Sequence, residues 1–145
     1  MKIIDFLVAE DIRNEVGNKH SVMGLFTDSI AIGVPAAVKW PIAFRLAMMV
    51  RLECEPGDPK EFTFCFRILW GAEELARFDG GGAQGGDESS ILTLPLVAPA
   101  VPLKGPGAFS FHIEIKAGDR VLLSQHLRPM GVVVNTVEGL PGAGP

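Results

Sequence analysis

Two long stretches of this chain alternate apolar and polar residues almost without error, and this period constrains the fold more than any other feature. They cover residues 42–54 and 62–70. Successive side chains of a strand point to opposite faces of the sheet, so a period of two predicts strands that each bury one face. The predicted core positions are Ile42, Phe44, Leu46, Met48, Val50, Leu52 and Cys54 in the first stretch and Phe62, Phe64, Phe66, Ile68 and Trp70 in the second.

Shorter apolar stretches and frequent turn signals extend this pattern over most of the chain. Eight or nine strands are separated by turns roughly every 8–12 residues, which predicts an all-β, antiparallel two-sheet β-sandwich, immunoglobulin-like or similar. A closed β-barrel is the alternative. We expect residues 1–138 to form one domain and residues 139–145 a flexible tail. The glycine-rich segment 79–87 is predicted to be a mobile loop, and the prolines between residues 95 and 106 to mark an edge strand and a crossover.

The first predicted hairpin joins residues 3–13 to residues 20–26 through a two-residue turn at Gly17-Asn18. That turn places Glu10 opposite Leu25, with Met23 and Leu25 on the inner face. Burying a lone carboxylate on the inner face costs free energy unless the carboxylate is paired or protonated. Two resolutions stay open: a bulge opposite Gly24 turns Glu10 outward, or Glu10 accepts hydrogen bonds from backbone donors or an arginine.

The same segment carries a resemblance to known proteins. Residues 6–26 read FLVAEDIRNEVGNKHSVMGLF. The segment resembles the start of a family of small uncharacterised bacterial proteins whose signature is AEDIR, then a turn with lysine, serine, glycine and an aromatic residue. The hairpin at residues 107–128 is similar as well. The resemblance implies a compact cytoplasmic β domain and no particular activity.

The composition narrows the classes of partner. The chain has 145 residues and a net charge of −4, and its 13 basic residues are scattered, so we expect neither nucleic acid nor a membrane as partner. Asp5 and Glu10 interrupt the first apolar stretch, so we expect this stretch not to be a secretory signal. Cys54 and Cys65 fall on opposite faces of their strands and are expected to stay free thiols, which favours a cytoplasmic location.

The outer face of residues 43–53 is the strongest candidate for a binding surface. It combines Ala43, Ala47 and Met49 with two arginines, a composition typical of protein interfaces. It predicts a protein partner or a homodimer, unless the chain's own proline crossover covers this face. The candidate binding residues are Glu10, Asp11, Arg13, Arg45, Met49 and Arg51.

No motif for catalysis or for a cofactor is present, and we expect no cofactor. His112, Glu114 and His126 share the outer face of the last hairpin and are a weak candidate for a zinc site, against the alternative of a solvated polar ladder. The sequence therefore favours a non-catalytic protein-interaction or scaffolding module. The alternative is a small ligand- or metal-binding protein, or an enzyme, using Glu10 or His112 with His126.

Overall fold

A computed structural model of the chain describes residues 1–84 and 87–139. Over these residues it contains nine strands and no helix. The strands are β1 (Lys2–Glu15), β2 (Lys19–Phe26), β3 (Ser29–Val34), β4 (Ile42–Cys54), β5 (Glu61–Trp70), β6 (Glu73–Ala83), β7 (Ser90–Leu103), β8 (Gly107–Ala117) and β9 (Arg120–Thr136).

The strands form two sheets that pack face to face. The four-stranded sheet has the order β2-β1-β4-β7 and the five-stranded sheet the order β3-β9-β8-β5-β6. All neighbours are antiparallel except β3 and β9, which run parallel. The predicted two-sheet sandwich is confirmed. The five-stranded sheet curves into a half-barrel but does not close, so the alternative of a closed barrel is wrong.

The predicted alternation of β4 and β5 builds the core. Leu46, Met48 and Val50 from β4 and Phe66 from β5 are buried between the sheets. Aromatic rings link the two layers, because Phe6 of β1 lies 6.3 Å from Phe66 and 5.2 Å from Phe111, centroid to centroid.

The glycine-rich segment was expected to be a loop, and that prediction is wrong for residues 79–83, which belong to β6. Gly80 pairs with Phe64 of β5, and Gly82 pairs with Phe62. A Cβ atom at Gly82 would come within 2.5 Å of the Phe62 ring, and one at Gly80 within 2.8 Å of the Phe64 ring. The glycines are strand residues because the rings occupy the space where side chains would stand. Residues 85 and 86 of the predicted loop lie outside the described residues.

The proline-rich segment forms an edge strand, as predicted, but the crossover comes later. β7 stays paired with β4 from Ser90 to Leu103, and the chain changes sheet only between Leu103 and Gly107. Prolines are tolerated in β7 because it has a neighbour on one side only. Residues 140–145 of the predicted tail lie outside the described residues.

The β1–β2 hairpin differs from its prediction by one residue of register. Glu15 pairs with Lys19, so the turn has three residues, and two of them, Gly17 and Asn18, have left-handed φ angles of 83° and 56°. Ala9 therefore pairs with Leu25, and Glu10 falls opposite Gly24. Because one residue of slip exchanges the two faces of a strand, Leu25 leaves the predicted inner face.

Candidate functional site

Apolar side chains cross the outer face of the four-stranded sheet in two adjacent rows. The register places Leu25, Ala9, Ala47 and Val97 side by side across all four strands, and Leu7, Met49 and Pro95 in the next row. Directly paired residues share a face of the sheet, so these side chains form one continuous surface. We call it the outer apolar band, and it consists of Leu7, Ala9, Ile12, Leu25, Ala47, Met49, Pro95 and Val97.

The middle of the band is buried, and its end on β2 is exposed to solvent. Ala9 and Ala47 are fully buried by their neighbours and Met49 is 7% exposed, whereas Leu25 is 54% exposed. Within residues 1–84 and 87–139, no third layer of strands lies on this face, since the two sheets pack through their other faces. The alternative in which the proline-rich segment covers this face is therefore wrong: β7 lies beside β4 within the sheet.

Ile12 joins the band although the alternation of β1 would place it on the inner side. It packs with Ala47 and Met49. β1 pairs with β4 only as far as Ala9, and beyond that point it forms a two-stranded ribbon with β2. Such ribbons twist more strongly than wide sheets, which allows Ile12 to reach the outer face.

An ion-pair cluster borders the band beside Ile12. Arg45 Nη2 donates to Asp11 Oδ1 at 2.7 Å, and Arg13 Nε donates to Asp11 Oδ2 at 3.3 Å. The backbone N–H of Ile12 donates to the same carboxylate at 3.0 Å. The bond from Arg45, followed by those from Arg13 and Ile12, lowers the pKa of Asp11 below its usual value against the opposing effect of desolvation. Asp11 is therefore a fixed negative charge between two arginines.

A second polar border runs along the opposite side of the band. Asp5 pairs with Arg51 across β1 and β4, and Lys2 Nζ lies 2.7 Å from Glu53 Oε2 in the next pair. The candidate residues Asp11, Arg13, Arg45, Met49 and Arg51 thus lie in or around one surface.

Glu10 is separate from that group. Its side chain is exposed and lies over Gly24, where a Cβ atom would come within 2.6 Å of the carboxyl group. Gly24 has a left-handed φ of 64°. The predicted pairing of Glu10 with Leu25 is wrong, because Glu10 falls opposite Gly24 and its side chain is exposed rather than buried in the core. No register shift occurs between Ala9–Leu25 and Asp11–Met23, so the exposure of Glu10 does not require a bulge with an inserted residue.

The two histidines meet on the outer face of the five-stranded sheet, as the hairpin pattern predicted. His112 and His126 are directly paired, with ring centroids 4.8 Å apart, and His112 Nε2 lies 3.1 Å from Ser124 Oγ. Glu114 instead lies 2.8 Å from Lys116 Nζ. No group of three or more metal-binding side chains occurs in the part of the chain that the structure describes.

The neighbourhood of His112 disfavours its charged form. Burial has the largest effect, followed by repulsion from His126 and Arg67, and together they lower the pKa of His112 despite the attraction of Glu114. A neutral imidazole is a better ligand and hydrogen-bond acceptor than its protonated form. Two neighbouring imidazoles are therefore present, and the described residues supply no third ligand beside them.

Sequence reasoning missed the residues that open the band to solvent. Val22, Met23 and Leu25 of β2 are all exposed, whereas Met23 and Leu25 were expected inside. The length of the turn could not be predicted from the sequence. Gly17 and Asn18, the two left-handed residues, are compatible with a two-residue turn and also with a three-residue turn that includes Val16.

Two comparisons of the sequence with known proteins were made. A scan of protein-family models finds no match to the chain, and a search of curated proteins finds no similar sequence. The resemblance of residues 6–26 to a bacterial family therefore stays a prediction. Among the described residues, no helix is long and apolar enough to span a membrane.

Proposed function

We propose that this protein is a non-catalytic protein-interaction module that binds its partner through the outer apolar band. One observation carries the proposal: an apolar strip crosses the outer face of a sheet, is exposed at Leu25 on the edge strand, and has charged residues along both of its sides. Protein interfaces have this arrangement of an apolar centre and a polar rim, with methionine and arginine enriched. Contiguous apolar surface on a soluble domain is a common mark of an interaction site.

The charges around the band support a protein partner over a charged ligand. Arg45 and Arg13 are committed to Asp11, and Lys2 to Glu53. These three positive and two negative side chains nearly balance, and such mixed, paired charges give register and specificity to a protein contact.

We also propose a cytoplasmic location in a bacterial cell. Cys54 and Cys65 are both free and buried. Free thiols are typical of reducing compartments, and the bacterial assignment rests on the resemblance of residues 6–26.

Site-specific photo-crosslinking in the native host tests the proposal. A photo-reactive phenylalanine analogue replaces Leu25 in the band or Val121, which is 49% exposed on the other sheet and serves as control. We expect a discrete protein product from position 25 and none from position 121. Val97→Asp, on the same band, should abolish the product. Equal labelling from both positions would contradict the proposal.

The paired histidines support one alternative, a small metal- or ligand-binding protein. Two imidazoles with centroids 4.8 Å apart can share a first-row transition metal with water completing the shell. Titration with Ni²⁺ followed by NMR tests it: both imidazole signals should shift at the same metal concentration, and His126→Ala should remove the response of His112. Shifts that do not depend on the partner histidine would reject this alternative.

A further inference from the structure

One corner of the sandwich is open between the edges of the two sheets. β2 pairs with β1 only from Val8 onward, so residues 2–7 of β1 form the edge of the four-stranded sheet there. β3 pairs with β9 only from Gly131 onward, so residues 120–130 of β9 form the neighbouring edge of the other sheet. The two edges lie beside each other but are not hydrogen-bonded together. Backbone groups on the open side of each edge can therefore bond to a ligand.

A cleft of about 420 Å³ lies in this corner, and we call it the corner cleft. Residues 3–6 of β1 form one wall and residues 125–128 of β9 form the other. Its volume falls within the range of small-molecule sites. Each wall is four residues long, which is roughly 10 Å along a strand. The cleft therefore fits a ligand no larger than a short peptide.

A β-bulge places an apolar side chain at the corner cleft. The register of β1 with β4 shifts between Ile3 and Asp5, so Ile4 is an extra residue without a partner in β4. Bulges bend the strand and redirect side chains, and they are common beside functional sites. Ile4 is 41% exposed, and Phe6 and Leu127 line the cleft with it. The corner cleft thus offers apolar surface to a ligand.

The two walls of the corner cleft carry opposite charges. Asp5 belongs to the β1 wall and Arg128 to the β9 wall, and neither joins an ion pair with another described residue. Arg128 Nη2 donates to the backbone carbonyl of Thr27 at 2.6 Å, which holds the guanidinium group without neutralising it. Its other N–H groups can bind a carboxylate, and the Asp5 carboxylate can bind an ammonium group.

We infer that the corner cleft binds a small zwitterion with an apolar side chain, either a free amino acid or a peptide of two or three residues. Its ammonium group pairs with Asp5 and its carboxylate with Arg128, while its side chain packs on Ile4 and Phe6. A ligand with a single charge satisfies one wall only. The inference goes beyond the proposed function, because the cleft lies between the sheet edges and not in the outer apolar band.

NMR titration with leucine at fixed pH and ionic strength tests the inference. His126 lines the cleft and reports on it, whereas His20, paired with Asn14 near the far end of β1, is the internal control. We expect the His126 signal and the backbone amide signals of residues 3–6 and 125–128 to shift in a saturable way, and the His20 signal to stay in place. Leucine should bind more tightly than free glycine, which has no side chain to cover the apolar surface.

Ligands that lack one charge assign a role to each wall. Isocaproate is leucine without its ammonium group, and isoamylamine is leucine without its carboxylate. Arg128→Gln should weaken leucine binding about tenfold and leave isoamylamine binding unchanged, whereas Asp5→Asn should weaken leucine about tenfold and leave isocaproate unchanged. Arg120→Gln and Asp119→Asn are the matched controls, since both side chains are exposed and lie outside the cleft. Circular dichroism checks that each variant is folded.

The dipeptide leucyl-leucine distinguishes the two sources of the ligand. Tighter binding of the dipeptide assigns the site to peptides, because its amide group can bond to the strand edges. Binding of leucine that is as tight or tighter assigns the site to free amino acids.

Three results would overturn the inference: shifts that do not saturate, isocaproate or isoamylamine binding as tightly as leucine, or leucine binding that both Asp5→Asn and Arg128→Gln leave intact. Val97→Asp, in the outer apolar band, should leave leucine binding unchanged. The titration and the photo-crosslinking from position 25 can therefore fail independently, which separates this inference from the proposed function.

Discussion

At the scale of single residues, the charges of this protein act through local pairs. Asp11 accepts hydrogen bonds from Arg45, Arg13 and the Ile12 backbone, and it lies at the border of the outer apolar band. Its role is to hold two arginines in place rather than to react, because a carboxylate with a lowered pKa is a poor proton acceptor at neutral pH.

Asp11→Asn should lower the melting temperature slightly at neutral pH. The folded-state pKa of Asp11 is below its usual value near 3.8, so its stabilising contribution is present above that pH and is lost as the pH falls through the folded-state pKa. The difference between wild type and variant should therefore shrink in strong acid, as measured by thermal unfolding at several pH values. Glu88→Gln, at an exposed position outside the ion pairs of the described residues, is the control. A difference independent of pH would contradict this role.

His112→Gln tests a pH dependence of stability that arises from a histidine instead of a carboxylate. The pKa of His112 is lowered from its usual value near 6.5 by burial and by His126 and Arg67, so the unfolded chain binds the proton more readily. The unfolding free energy of the wild type should therefore fall, relative to the variant, as the pH decreases below 6.5, and this loss should stop once His112 is protonated in the folded state. Urea unfolding at a series of pH values measures it. His126→Gln removes one cause of the lowered pKa and should give an intermediate slope.

At the scale of elements, β6 shows that a neighbouring strand can stabilise a β-strand in a segment whose own sequence does not favour one. Glycine disfavours strands because it loses much conformational freedom and has no side chain to pack. Gly80 and Gly82 are accepted here because the Phe64 and Phe62 rings lie over them. The strand is therefore specified by its partner β5.

Gly82→Val should destabilise the protein by about 1–3 kcal/mol, the usual cost of overpacking a core. Its Cβ would lie 2.5 Å from the ring of Phe62, which is itself buried and would have to shift within the core. Gly81→Val is the matched control, because Gly81 points to the other face and its nearest contact would be 3.4 Å away. It should be neutral or slightly stabilising, since valine favours strands. Chemical denaturation compares the two, and equal losses would show that the rings do not determine the strand.

At the scale of the whole molecule, the two sheets share one core. Phe111 of β8 is fully buried and its ring lies 5.2 Å from that of Phe6 in β1 and 6.1 Å from that of Phe66 in β5. Neither sheet has another apolar layer to cover its inner face within the described residues. The sheets should therefore unfold together.

Phe111→Ala should cost about 3–5 kcal/mol and should destabilise both sheets equally. Trp40 precedes β4 of one sheet and Trp70 ends β5 of the other. Replacing either tryptophan by phenylalanine leaves a single fluorescent reporter for one sheet. The denaturation midpoints from the two reporters should coincide before and after Phe111→Ala. Separate midpoints would show that the sheets are independent units.

The amino-acid sequence by itself determined that this chain is a two-sheet β protein and which side chains of β4 and β5 form its core. Those properties follow from alternation, which is local, because each residue's face is set by its position along one strand. The meeting of His112 and His126 was also predictable, since a short turn fixes the pairing of its two strands. The outer-face positions of Asp11 in β1 and of Arg45 and Met49 in β4 followed from the same parity, whereas the pairing of β1 with β4 that brings them together did not.

Only the tertiary structure decided the register of β1 with β2, the strand character of Gly80 and Gly82, and the exposure of Leu25. Each depends on a partner distant in sequence or on a single residue of turn length. A turn of three residues instead of two moves every side chain that follows it to the other face of the sheet. The two turns differ little in local free energy, so the packing of the strands on either side decides between them. The candidate interaction surface therefore became visible only once the strands were placed side by side.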